Sequence, residues 1–194
     1  MIDDLALFPL HAVLFPGGRL PLRLFEQRYL EMAKSCLRDG TPFGVCLIRE
    51  GAEVGTPATP NTVGTLAKIT TWDMPQLGML LVTALGAQRF RILERRVQPD
   101  GLARARVEPL PADIDSPIPE HCAACVRLLE RLIEQQSGLF EPPHNLESCS
   151  WVSSRLGEVL PFGLPAKQAL LELADARRRL EQVSALLASA RSAP

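Results

Sequence analysis

The residue types best suited to metal or thiol chemistry cluster at His121-Cys122-Ala-Ala-Cys125, with His144 and Cys149 further along the chain. A structural zinc site needs four ligands, and His144 and Cys149, five apart, could in principle supply the second pair. The competing reading is packing. Cys122 and Cys125 fall on the apolar stripe of a helix, where free cysteine behaves as a small core residue.

A second candidate is electrostatic. Asp100-Gly101 marks a tight hairpin; with a two-residue loop, Val97 faces Arg104, Arg95 faces Arg106 and Glu94 faces Val107. One face then carries Phe90, Ile92, Ala103, Ala105 and Val107, which is core-like. The other carries Arg89, Arg91, Arg95, Arg104 and Arg106, relieved mainly by Glu108. Like charges directly opposite destabilise a sheet, so carboxylates from elsewhere cover this face or it meets an anionic partner. A solvated face with local ion pairs is the plainer alternative.

No pattern for catalysis is present. The three histidines, His11, His121 and His144, are scattered without an HExxH, and neither a Gly-x-Ser-x-Gly elbow nor a GxGxxG occurs. Of 21 basic residues only Lys34, Lys68 and Lys167 are lysines, and none follows a glycine. A phosphate-binding P-loop is thereby ruled out, since it needs Gly-Lys followed by Ser or Thr. Spacing argues for no close carboxylate pair. Nothing here requires an enzyme or a cofactor.

Composition bounds the partners. A formal net charge of −1 argues against a whole-protein electrostatic partner such as duplex nucleic acid. No apolar run is long enough for a membrane span. Asp3 and Asp4 stand where a secretory signal would be basic. Five cysteines, an odd number, fit reduced thiols better than a disulfide framework. The expectation is a soluble cytoplasmic protein.

The elements that must position these residues begin with Phe8–Tyr29. Apolar runs at 5–10 and 12–15 lead into the Pro16-Gly17-Gly18 turn. Leu20, Leu22 and Leu24 then share one strand face, with Arg19 and Arg23 on the other. From Phe25 the period becomes helical: Phe25, Tyr29, Met32 or Ala33, and Cys36 form one stripe that Gly40 closes. Phe8, Phe15, Phe25 and Tyr29 are thus available to a common core. Strands follow at 42–48, 63–72, 79–85 and 86–107, the last folded at the hairpin, with an exposed loop at 52–61 and a turn at 73–78.

Four prolines, at 109, 111, 117 and 119, punctuate an acidic linker, and strand signals stop there. The chain divides into a β-rich domain, 1–112, and a helical subdomain, 113–194. An amphipathic helix over 120–136 closes at Ser137-Gly138. Asn145 caps a second, with stripe Cys149, Val152, Leu156 and Val159. A long third helix runs from about 166 to 190, with a seam of Ala169, Leu173, Ala176, Leu180, Val183, Leu187 and Ala190. That seam packs inside the chain or against a second copy.

Several motifs, in order, carry a resemblance. They are Leu14-Phe15-Pro16-Gly17, Leu20-Pro21-Leu22, Phe25-Glu26-Gln27-Arg28-Tyr29, Phe43-Gly44-Val45, Val63-Gly64-Thr65-Leu66-Ala67, Gly86-Ala87-Gln88-Arg89-Phe90, and Lys167-Gln168-Ala169-Leu170-Leu171-Glu172 with Arg179-Leu180. Together they resemble the N-terminal substrate-binding domain of the Lon protease, in its stand-alone bacterial form without ATPase or peptidase.

The resemblance implies an α+β fold: a PUA-like pseudo-barrel of mainly antiparallel strands with one packed helix, followed by the helical subdomain. It implies a non-catalytic module that binds unfolded or specific polypeptide segments, as an adaptor or quality-control factor, with a Lon-type protease as a possible partner. Candidate contacts are Phe15, Arg19, Arg28, Tyr29 and Arg89, although Glu26 and Arg28 equally suit a structural ion pair. A groove where barrel meets helices, lined by the opening stretch and gated by the 52–61 loop, is the expected site, with strand addition at a barrel edge. RNA bound on the arginine hairpin is the alternative, since PUA-like barrels often bind RNA.

Overall fold

The computed structural model describes residues 1–136 and 138–192. The chain divides into two compact units, Met1–Pro111 and Ala112–Pro194.

The first unit runs β1 (Ile2–Leu10), β2 (Arg19–Leu24), α1 (Gln27–Asp39), β3 (Phe43–Glu50), β4 (Thr59–Pro60), β5 (Val63–Gln76), β6 (Met79–Val97) and β7 (Ala103–Pro109). Five strands form a ring in the order β1-β7-β6-β5-β3, closed by a parallel β3–β1 pair from Leu7↔Gly44 to Leu10↔Leu47. The other pairings are antiparallel. Closure leaves the ring no long edge. Alternate residues fill it: Leu5, Leu7, Cys46, Leu66, Phe90, Ala103, Ala105 and Val107. Room for the Phe90 ring comes from two missing side chains. A Cβ on Gly44 would meet Phe90 Cζ at 2.7 Å, and one on Gly64 would meet it at 2.9 Å.

The opposite strand faces make a second core. Ala6, Phe8 and Leu10 of β1 and Phe43 and Val45 of β3 pack with Leu24, Leu80, Val82 and Ala84 and with Tyr29, Met32, Ala33 and Cys36 of α1. The helical stripe is the expected one, and Gly40 ends the helix in the left-handed region at φ 66°. Phe25 is the exception, 55% exposed. Leu24 takes the inner face of β2, so its neighbour points outward, and the helix starts only after Glu26, which is still extended.

Two further expectations about strand limits fail for backbone reasons. The turn placed at 73–78 is only Leu77-Gly78, with Gly78 at φ 81° and Gln76↔Met79 closing the hairpin. Pro75 is tolerated inside β5 because, among the described residues, no strand pairs with the other edge of β5 beyond Ala67. The segments at 79–85 and 86–97 are one 19-residue strand. The loop at 52–61 is exposed at 52 and 54–57, as expected, but it is pinned at its end and at Glu53. Thr59 and Pro60 pair with β3, Ala58 is buried, and Glu53 accepts the His11 backbone N–H at 2.5 Å.

The second unit holds a 3₁₀ turn (Glu120–Cys122), α2 (Ala123–Gln135), α3 (Cys149–Val159), α4 (Leu164–Glu172) and α5 (Ala176–Ser192). Ser137, half of the expected stop, lies outside the described residues. Ser148, not Asn145, caps α3, accepting the Trp151 N–H at 3.0 Å. The expected long third helix is two. Ile114 forms an isolated bridge with Asp175, and Asp175 Oδ1 caps α5 at the Arg178 N–H, 3.0 Å. Ala176, Leu180 and Val183 are buried within the unit, while Ala169 of the expected seam is exposed on α4.

Candidate functional site

Four of the five residues singled out from the sequence are buried within the first unit. Phe15 is completely buried, and its carbonyl accepts the Gly18 N–H at 2.9 Å. Tyr29 stacks edge-on against Phe8, centroids 4.4 Å apart, and burial raises its phenol above the usual range. The Arg28 guanidinium meets Glu26 at 2.8 Å and donates to the Gly101 carbonyl at 3.2 Å. It also lies 4.7 Å from the Tyr29 ring centre. The Glu26–Arg28 ion pair that the sequence offered is therefore present. Arg89, expected on the open arginine face, is buried. Arg19 alone is exposed, on β2. The structure does not gather the five into one surface.

The arginine hairpin is corrected by one residue of register. Its loop is longer than two residues, with Gln98 N–H to Leu102 O and Gly101 N–H to Gln98 O, both 2.9 Å. Val97 therefore faces Ala103, Arg96 faces Arg104, Arg95 faces Ala105 and Glu94 faces Arg106; a bulge at Leu93 then restores Ile92↔Val107. Arg95 swings to the Ala58 carbonyl at 2.8 Å. The outward set is Arg91, Arg96, Arg104 and Arg106 with Glu94 and Glu108. Asp4 comes across from β1 to meet Arg96 at 2.7 Å and Arg104 at 3.0 Å, and Glu94 meets Arg106 at 3.2 Å. Three of the four cations thus meet two carboxylates, and Arg91 faces Glu108 across the strand pair, which is the cover the sequence calls for.

The cysteines Cys122, Cys125 and Cys149 are all buried, and burial pushes the Cys122 thiol up to about 11. His121 turns to Glu181 at 3.4 Å and His144 to the Phe140 carbonyl at 3.1 Å. Among the described residues no group of three or more His, Cys, Asp or Glu is placed to hold a metal ion. The arrangement is that of packed thiols, and all five cysteines are buried and outside any disulfide. An aromatic disulfide reagent at pH 8 is therefore expected to leave the folded protein almost unlabelled over minutes, and to titrate five thiols after denaturation. Rapid native labelling of two thiols would reinstate a reactive pair.

The surface that is chemically open lies elsewhere. β2 pairs with the first half of β6, on the side that β7 takes further along, so β2, β6 and the distal half of β5 form a three-stranded sheet standing off the ring. Its inner face carries the rows Leu20–Ala84–Ile69, Leu22–Val82–Trp72 and Leu24–Leu80. The core covers the first row out to Ile69 on β5 and stops short of Trp72. Trp72 is left 59% exposed, Met74 is exposed beyond it, and Leu77 at the turn is 97% exposed. The sequence pattern places these three in an ordinary strand and turn. The available signal was length: β5 has 14 residues and only Phe43–Val45 of β3 pairs with it. The edge of β5 itself is guarded by Lys68, a bulge at Thr70 and Pro75, devices that discourage strand addition. The tip therefore offers side chains rather than backbone.

A closed pseudo-barrel that carries an unpartnered apolar hairpin, followed by a helical unit, defines a binding-type architecture. The chain belongs to the family described as the ATP-dependent protease La (LON) substrate-binding domain, which matches residues 4–189. It is similar to a Lon N-terminal domain protein from Xanthomonas campestris, whose crystal structure superposes with TM-score 0.80 at 36% identity, covering 95% of this chain and 98% of that one. It is 27% identical to Lon protease 2 of Myxococcus xanthus over 94% of its own length and 23% of that protein's. It is 32% identical to protein cereblon of Gallus gallus over 51% of its length and 22% of that protein's. The chain thus spans under a quarter of these curated relatives. No helix among the described residues is long and apolar enough to cross a membrane.

Proposed function

We propose that this chain is a non-catalytic cytoplasmic module that captures unfolded or otherwise extended polypeptide segments, serving as an adaptor or quality-control factor, with a Lon-type protease as a potential partner. The observation that carries this reading is the exposed apolar run of Trp72, Met74 and Leu77 on a hairpin whose backbone edge is guarded. Apolar patches that protrude from a well-packed unit mark interaction sites. Aromatic and large aliphatic anchors dominate such contacts. The sequence supplies no ATPase or peptidase motif, and the family is defined by substrate binding. Arg19, on the neighbouring strand, remains the one sequence-derived candidate for a contact.

The test is titration of a fluorescently labelled, permanently unfolded protein. The double variant Trp72→Ser/Leu77→Ser is expected to weaken capture by about tenfold or more, in line with loss of hot-spot anchors, with an unchanged thermal melt. Undiminished capture by that variant would sink this assignment. RNA is the second reading, favoured only by the arginine hairpin. With Asp4 and Glu94 already paired there, the Arg104→Glu/Arg106→Glu variant is expected to leave nucleic-acid retention unchanged. A steep salt-dependent loss would instead support RNA.

A further inference from the structure

The outward face of the β2–β6–β5 sheet has a charge pattern that the apolar tip does not explain. Its rows are Arg19–Leu85–Lys68, Pro21–Thr83–Thr71 and Arg23–Leu81–Asp73. Lys68 and Asp73, five apart, share this face because the bulge at Thr70 inserts one residue between Ile69↔Ala84 and Thr71↔Thr83. Along the middle strand, Leu81 is exposed and Thr83 and Leu85 are half-buried. An aliphatic strip is thus bordered by Arg19 and Arg23 on one strand and Lys68 on the other. Three cations stand against one carboxylate, Asp73, on a chain whose net charge is −1. Among the described residues no ion pair or hydrogen bond engages the side chain of Arg23 or Lys68, in contrast to the paired arginines of the β6–β7 hairpin.

We propose that this face selects acidic amphipathic polypeptide segments: apolar side chains settle on the Leu81–Thr83–Leu85 strip while flanking Asp or Glu meet Arg19, Arg23 and Lys68. The inference rests on the polypeptide-binding reading above and adds a substrate class to it. Charge complementarity decides the occupant. A central strip of aliphatic side chains offers no stacking platform to a base and no dense cation array to a phosphate backbone, but it fits the alternating apolar side chains of an extended segment. Rim charges of this kind act mainly on partner choice and encounter rate.

The experiment uses the full chain and three labelled peptides with identical Leu and Phe positions, whose remaining positions are Glu, Lys or Ser, followed by fluorescence anisotropy. The Glu peptide is expected to bind about tenfold more tightly than the Lys peptide at low salt, the gap closing as ionic strength rises. Arg23→Glu/Lys68→Glu is expected to reverse that preference, and Arg23→Gln/Lys68→Gln to abolish it, with circular dichroism confirming that both variants are folded. Lys34→Glu, on the exposed side of α1, serves as the control that keeps the wild-type preference. Equal affinity for the Glu and Lys peptides, with the Ser peptide still bound, overturns charge selection and leaves polypeptide capture standing. No binding of any of the three overturns both.

Discussion

Replacing Asp113 by Ala is expected to destabilise the helical unit by about 3–5 kcal/mol, the cost of stranding a buried charge. Arg179 is 1% exposed. Both terminal nitrogens of its guanidinium donate to Asp113 Oδ2 at 2.6 Å, one also to Ser154 Oγ at 3.1 Å and the other to the Leu173 carbonyl at 2.9 Å. Asp113 Oδ2 further accepts the Ser150 hydroxyl at 2.7 Å. One carboxylate thus ties together the start of the unit, α3, α5 and the break after α4. With stabilities of about 5–15 kcal/mol typical of whole domains, such a loss leaves little margin. Urea unfolding followed at the helical circular-dichroism band measures it. Asp113→Asn, which keeps an acceptor but no charge, should fall between wild type and Ala. The paired change Asp113→Leu/Arg179→Met should recover much of the loss, since a buried ion pair can be replaced by apolar groups at little net cost. If Asp113→Ala alone unfolds with an unchanged urea midpoint, the pair is not a keystone.

That pair shows what the sequence could and could not reveal. The stripe of α1 and its glycine stop were legible because period and cap are local signals, and the acidic composition of 113–115 was visible. Nothing local said that Asp113 would find Arg179, 66 residues away. The same long-range contact region explains the missed break. Leu173-Ala174-Asp175 contains no helix breaker, and the helix ends because Ile114 bridges to Asp175 and Leu173 presents its carbonyl to Arg179. In the β6–β7 hairpin the Asp100-Gly101 signal located the turn correctly. Loop length and the Leu93 bulge depend on how β6 wraps the ring, so register and the arginine set came out one residue wrong. Among the candidate contacts, Phe15, Tyr29, Arg28 and Arg89 are large or charged residues in recognisable motifs, and such residues also build cores: all four are buried. Trp72 and Leu77 looked like ordinary strand and turn because sequence does not say where the core stops.

Gly86→Val is the change expected to damage the first unit most, by about 3–5 kcal/mol, combining overpacking with the loss of backbone hydrogen bonds. β6 passes Gly86 on its way from the projecting sheet into the ring, and the chain entering β2 is fastened at this point. Gly17 N–H donates to Gly86 O and Gly86 N–H to Gly18 O, both 2.8 Å. A Cβ at position 86 would collide with the Phe15 carbonyl oxygen and press on Leu14 at 3.1 Å. The obstacle is backbone, which cannot rotate away, so the whole Phe15–Gly18 turn would have to lift. Gly55→Ala is the matched control. A Cβ there meets nothing within 4 Å, and only its positive φ of 91° opposes the change, worth about 1 kcal/mol. Thermal melts should separate the two clearly, and a Gly86→Val melt as high as that of Gly55→Ala would refute the close approach. The consequence reaches the proposed site as well. Detaching the start of β2 removes Arg19, Leu20 and Pro21 from their pairs with Leu85, Ala84 and Thr83. Any variant that survives folding should therefore lose its preference for the acidic peptide while Trp72 and Leu77, on the far strand and the turn, stay in place.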